Sequence, residues 1–103
     1  MKLILTTLPS FEKATELAKR FVSERLVACA WVLPEIRSYY IWKGELQEDS
    51  EVVLVLKTPK EVSEKVIEKL KEAHPYEVPE IIAIDADYVL PEYLKWAKEV
   101  CGV

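Results

Sequence analysis

The stretch from Val27 to Lys57 constrains the fold more than any other part of the chain. Val27 to Leu33 is a nearly continuous apolar run, and after Pro34 the residues Ile36, Ser38, Tyr40 and Trp42 alternate with Arg37, Tyr39, Ile41 and Lys43. A period of two marks extended chain, and proline has no amide hydrogen for a sheet ladder, so the pattern predicts a long strand bent or bulged at Pro34. Gly44 ends it. A polar stretch from Glu45 to Ser50 then leads into a second strand, Glu51 to Lys57, whose run Val52 to Leu56 has the composition of a strand buried on both faces. Two such runs joined through a glycine read as a hairpin. Its outer part carries Tyr39, Tyr40, Ile41 and Trp42, more aromatic surface than a small monomer leaves in water, and each ring is worth about 2–3 kcal/mol on full burial. Cover by a partner chain is the simplest expectation.

The remaining sequence places this hairpin in a single domain spanning residues 1–103, for 103 residues with 50% hydrophobic content leave room for one core and no second. Lys2 to Leu8 is rich in strand formers and is closed by Pro9-Ser10, a turn signal with Ser10 as helix N-cap. Phe11, Ala14, Leu17, Ala18, Phe21 and Val22 then recur at helical spacing, with Glu16 and Arg20 at the favourable i,i+4 offset on the other face. Thr58-Pro59-Lys60-Glu61 reads as a capping box with Thr58 at N-cap, opening a helix whose buried stripe is Val62, Val66, Ile67, Leu70 and Ala73. His74-Pro75 ends it. Glu80 to Ala86 predicts the last strand and Pro91 to Cys101 a closing helix. The order βαββαβ plus a terminal helix is the α+β, ferredoxin-like sandwich, with both crossover helices on one face of an antiparallel sheet. The final helix or a partner chain must cover the other face.

Charge and composition exclude several function classes. Net charge −4 and a pI near 5.1 are wrong for a protein whose partner is a phosphate backbone, so no nucleic-acid role is expected. No apolar run reaches the roughly 18 residues of a membrane span, and the N-terminus has no small-residue cleavage site, which leads to the expectation of a cytoplasmic protein. Only two glycines are present, Gly44 and Gly102, which rules out glycine-rich phosphate loops. The absence of Asn, a single Gln and abundant Lys and Glu predict high thermal stability.

Few side chains are left to carry chemistry. His74 is the only histidine, so one chain cannot build a multi-histidine metal site, and a triad would rest on it alone. At a helix C-terminus its protonated form is favoured by the macrodipole. It reads either as a cap for the last carbonyls or as a metal contact completed by other copies of the chain. Cys29, between Ala28 and Ala30, is either a buried thiol or a second metal ligand, and Cys101 is a helix-face thiol. Lys57 is either a snorkelling strand-end lysine or an anion contact. Glu77, Glu80, Asp85 and Asp87 read as a solvated acidic strip, since no calcium-loop spacing accompanies them.

With these residues assembled, the chain resembles the CutA divalent-cation tolerance family over almost its whole length. The resemblance rests on Ala28-Cys29, on Ser38, Tyr40, Trp42 and Gly44 at S-x-Y-x-W-x-G spacing, on Lys57-Thr58, on His74-Pro75-Tyr76-Glu77-Val78-Pro79-Glu80-Ile81 as H-P-Y-x-x-P-E-I, and on Tyr93-Leu94-x-Trp96. It implies a homotrimer whose long hairpins pair across subunits, an architecture similar to the PII signal proteins. It also implies a cytoplasmic role in tolerance to copper and other divalent cations, with no required cofactor and no enzymatic activity. Members proposed to bind copper can carry Cys at the position of Thr6 and His at that of Ala73. The matched metal candidates here are His74 and, second, Cys29. The competing expectation is a signalling or scaffold trimer that binds a small anion or a partner in clefts lined by Tyr40, Lys57, Tyr76 and Glu77, with Tyr39 and Trp42 in the same hairpin. A hydrolase of the acylphosphatase kind needs a water-orienting Asn, which the chain lacks.

Overall fold

The computed structural model describes all of Met1–Val103. Its elements follow in the order β1 (Lys2–Leu8), α1 (Phe11–Ser23), β2 (Cys29–Trp42), β3 (Glu45–Thr58), α2 (Ser63–Ala73), β4 (Ile81–Asp85) and α3 (Pro91–Cys101). The four strands form one antiparallel sheet in the order β2-β3-β1-β4, the ferredoxin-like topology. Alternation along the strands sends Ile4, Leu8, Leu54 and Leu56 to one face, where Leu17 and Phe21 of α1 and Leu70 of α2 meet them, all without exposed surface. Each such side chain contributes about 1.5–3 kcal/mol by leaving water. Ser10 caps α1 as expected, accepting the Lys13 amide at 3.1 Å. Glu16 pairs with Lys13 at 3.4 Å rather than with Arg20, which reaches Glu24 at 3.3 Å.

The hairpin departs from its expected outline in one respect. Lys43 and Gly44, at φ 51° and 81°, form a two-residue turn between the paired Trp42 and Glu45, and two successive positive φ values are what a tight right-twisted hairpin demands. β3 therefore starts at Glu45, and the polar stretch to Ser50 is strand, not connection. The register shifts between Val32 and Glu35, a bulge at Pro34 as its missing amide requires. The molecule is 46 Å long and 26 × 23 Å across because this two-strand ribbon projects beyond the sheet.

The capping box at Thr58 does not form. Pro59 is extended, a 3-10 turn occupies Lys60–Val62, and α2 begins at Ser63. Thr58 is fully buried, and its hydroxyl donates to the Leu26 carbonyl at 3.1 Å, tying the end of β3 to the chain entering β2. Glu61, freed from the expected cap, pairs with Lys98 of α3 at 3.2 Å. That contact helps fix α3 at one end of the sheet's second face, beside Cys29 and Lys57. Ile82 and Ile84, which sit opposite Leu5 and Leu3, remain exposed.

Candidate functional site

β1 stops at Leu8, opposite Val52. Glu51 is therefore the first β3 residue without a β1 neighbour, and from there outward the sheet is only two strands wide. The connection from α2 to β4 folds against this step and encloses a cleft of about 650 Å³. Tyr39, Tyr40, Trp42, Asp49 and Glu51 contribute the ribbon side of it, Thr7 the end of β1, and Tyr76, Glu77 and Glu80 the returning connection.

His74 anchors that connection from behind. Its Nε2 lies 3.0 Å from the Thr7 carbonyl and 2.9 Å from Thr6 Oγ1, and the Tyr76 amide donates to Nδ1 at 3.2 Å. A carbonyl only accepts, so the network assigns the proton to Nε2 and leaves the ring neutral. Burial pushes its pKa below the ordinary 6.5, with the hydrogen bond to Thr7 opposing in part. The sequence-based expectation of a protonated or carbonyl-capping imidazole is thus corrected. A macrodipole term of about 0.3–1 kcal/mol is outweighed by desolvation of a ring that is 8% exposed.

From His74 the chain turns the Tyr76 ring toward β3, ring centroids 4.9 Å apart, and the Tyr76 hydroxyl donates to Glu51 Oε2 at 2.8 Å. Burial first and the Glu51 carboxylate second push the Tyr76 pKa well up, so the phenol keeps its proton and remains a donor. Tyr40 donates in the same way to Asp49, and that hydrogen bond raises its pKa. Glu51 is 8% exposed, yet no Lys or Arg pairs with it. Its Oε1 has no protein partner and opens onto the cleft.

The other sequence candidates lie elsewhere. Cys29 faces Lys57, which faces Leu3, whereas Thr6 and its neighbour His74 belong to the rung of Leu54. Three residues of strand, roughly 10 Å, separate the two rungs, so Cys29 and His74 are not brought together. Lys57 does not line the cleft. Its Nζ stands 3.4 Å above the Trp31 ring and 5.9 Å from that of Tyr93, whose pKa is raised by burial and then by Cys29 beside it. Of the acidic strip, Glu77 and Glu80 reach the cleft and Asp85 pairs with Lys2 at 3.0 Å. Asp49 escapes the sequence reading because Glu45 to Ser50 reads as a connection, and Glu51 because it stands there only as the first residue of the predicted strand Glu51 to Lys57. Their i,i+2 spacing, placed on a strand, would have put both on one face beside Ser38 and Tyr40.

The cleft thus offers oxygen donors and aromatic faces, no basic residue, and no nucleophile paired with a base. No three of its His, Cys, Asp and Glu side chains converge as a metal-ligating group within one chain. The family model described as CutA1 divalent ion tolerance protein matches residues 2–100. The chain belongs to this family. A CutA1 relative from Pyrococcus horikoshii, a divalent-cation tolerance protein, is 46% identical over 96% of both chains. Among solved structures, the PII-like CutA from Nostoc sp. PCC 7120 superposes with a TM-score of 0.91 at 36% identity, covering 98% of this chain and 97% of that one. The CutA of Archaeoglobus fulgidus, described as a periplasmic divalent cation tolerance protein, gives 0.91 at 33% identity, covering 98% and 99%. No helix is long and apolar enough to cross a membrane.

Proposed function

We propose that the protein acts as a homotrimer in the tolerance of divalent metal ions, as a binding protein and not an enzyme, and that the acidic cleft is where it receives positive charge. The names borne by its CutA1 relatives support the first part. Glu51 carries the last. Its carboxylate is held in place by the Tyr76 hydroxyl, lines the cleft and has no Lys or Arg partner, so a cation entering from solvent meets a fixed and unpaired negative charge. The anion-binding alternative loses its cationic residue, because Lys57 is engaged over Trp31 at the far end of the sheet.

The trimer draws support from two open sheet edges. β2 pairs only with β3, and β4 only with β1, so an edge of one chain can meet the other edge of the next, and such head-to-tail contacts form a ring where the rotation between copies closes. Ile41, 66% exposed, and Leu46, 71% exposed, lie on the projecting ribbon where a neighbour would cover them. Cytoplasmic location and high thermal stability belong to the same proposal, the first to be checked by cell fractionation and the second by calorimetry.

For copper, His74 is the one candidate that matches the family and Cys29 a distant second, but both ring nitrogens of His74 already have internal partners and soft-metal sites want free imidazole and thiolate. Native mass spectrometry with added Cu2+ or Mn2+ tests the reading. Three chains per particle are expected, with metal uptake reduced in Glu51→Gln and retained in His74→Ala. Uptake lost in His74→Ala and retained in Glu51→Gln would return the site to the imidazole.

A further inference from the structure

The connection from α2 to β4 is held by very little. Residues 75–80 make no backbone–backbone hydrogen bond and no ion pair. The hydrogen bonds that tie them to the rest of the chain are the two of Tyr76, its amide to His74 Nδ1 and its hydroxyl to Glu51. Pro75, Glu77, Val78 and Glu80 are exposed, so apolar packing adds little. His74 stands between this segment and β1 and treats the two sides differently. Nε2 already carries the proton that goes to the Thr7 carbonyl, so a second proton can enter only at Nδ1. The β1 side then keeps its donor. On the other side the ring N–H and the Tyr76 N–H face each other across 3.2 Å, and neither can accept.

We propose that His74 is an acid-released latch, in which a proton on Nδ1 frees Tyr76, and with it the 75–80 connection, from the base of the ribbon. The groups around the ring set when it opens. Burial is the largest influence and resists the second proton, the Thr7 hydrogen bond and Glu51 on β3 favour it, and Lys13 on α1 opposes it. Thr6 and Thr7 of β1 do not titrate, and the Tyr76 phenol keeps its proton. Both ring nitrogens are engaged inside the chain, so the latch works with no bound ion and stands whatever the cleft receives. Once released, Tyr76 withdraws the hydroxyl that fixes Glu51, and the step between core and ribbon loses its cover.

The test is nuclear magnetic resonance of the whole isotope-labelled protein, in buffer containing a chelator, from neutral pH downward. His74 is the only histidine, so its two ring nitrogens are identified without ambiguity. The expected result is a neutral ring protonated at Nε2. As the ring takes its second proton, the Tyr76 amide loses about tenfold or more of its protection from exchange, after correction for the intrinsic rate, while the β1 amides stay protected. In His74→Gln the pH dependence of Tyr76 protection disappears. Should that variant fold poorly, Lys13→Ala, remote from the hydrogen bonds of the latch, moves the ring titration and the loss of protection upward in pH together. A ring that protonates while Tyr76 stays protected overturns the proposal. So does a ring that stays neutral until the whole chain unfolds, or a Lys13→Ala variant in which the two transitions separate.

Discussion

The two halves of the β2–β3 ribbon are built from continuous strands, yet they obey different rules. In the inner half, Val52, Leu54 and Leu56 are buried against α1 and α2, and β1 supplies a third strand alongside. In the outer half the same strands pair only with each other, and Tyr39, Ile41 and Leu46 face solvent beside Arg37 and Glu48. The inner half is held by what one chain supplies. The outer half carries apolar surface that one chain cannot bury, and an isolated two-stranded ribbon is marginally stable in water. The cleft lies where the halves meet, with Glu51 as the first residue beyond the end of β1. The placement is informative because the site borrows rigidity from the core and openness from the ribbon.

Substitutions should separate the halves. Phe21→Ala, at the centre of the inner half, is expected to cost about 3–5 kcal/mol in denaturant unfolding, since it leaves a cavity in a fully packed site. Leu46→Lys, on the outer half, is expected to leave the circular dichroism spectrum unchanged and to split the assembly in sedimentation velocity. Equal damage to folding from both would erase the distinction. At the junction, Tyr76→Phe removes the only hydrogen bond to a buried carboxylate and should cost about 1.5–3 kcal/mol by chemical denaturation, while Glu51 keeps its place. His74 supplies a pH test of the same junction. Its pKa is lower folded than unfolded, so below about 6.5 the unfolded chain binds a proton that the folded chain refuses. Stability therefore falls as the pH drops through that value and levels off once the folded ring protonates, and His74→Gln should flatten the slope in pH-dependent melting. Arg37→Ala is expected to change stability by less than about 1 kcal/mol, since its 2.7 Å pair with Glu48 is exposed on both sides.

Much of this architecture is legible in the sequence where local chemistry and tertiary packing agree. Ser10 caps α1, Pro34 breaks the register of β2, and α3 runs from Pro91 to Cys101 as its periodicity predicts. The ribbon's apolar tip is likewise visible from Tyr39 to Trp42. Reading fails where a distant residue takes a side chain that has an adequate local partner. Thr58 has the spacing of a cap but bonds the Leu26 carbonyl, 32 residues away. His74 has the position of a helix-end cation but is drawn under Thr6 and Thr7 and held neutral. Asp49 was hidden for a different reason. Polar residues on a two-stranded ribbon need no buried face, so nothing in their hydropathy separates strand from loop.

The central claim is that the outer ribbon is an interface between copies of this chain. Multi-angle light scattering of the purified protein at micromolar concentration tests it most directly. The mass expected is three times the 11.9 kDa of one chain. A particle of 11.9 kDa, stable and monodisperse with Ile41 and Leu46 left in water, would contradict it.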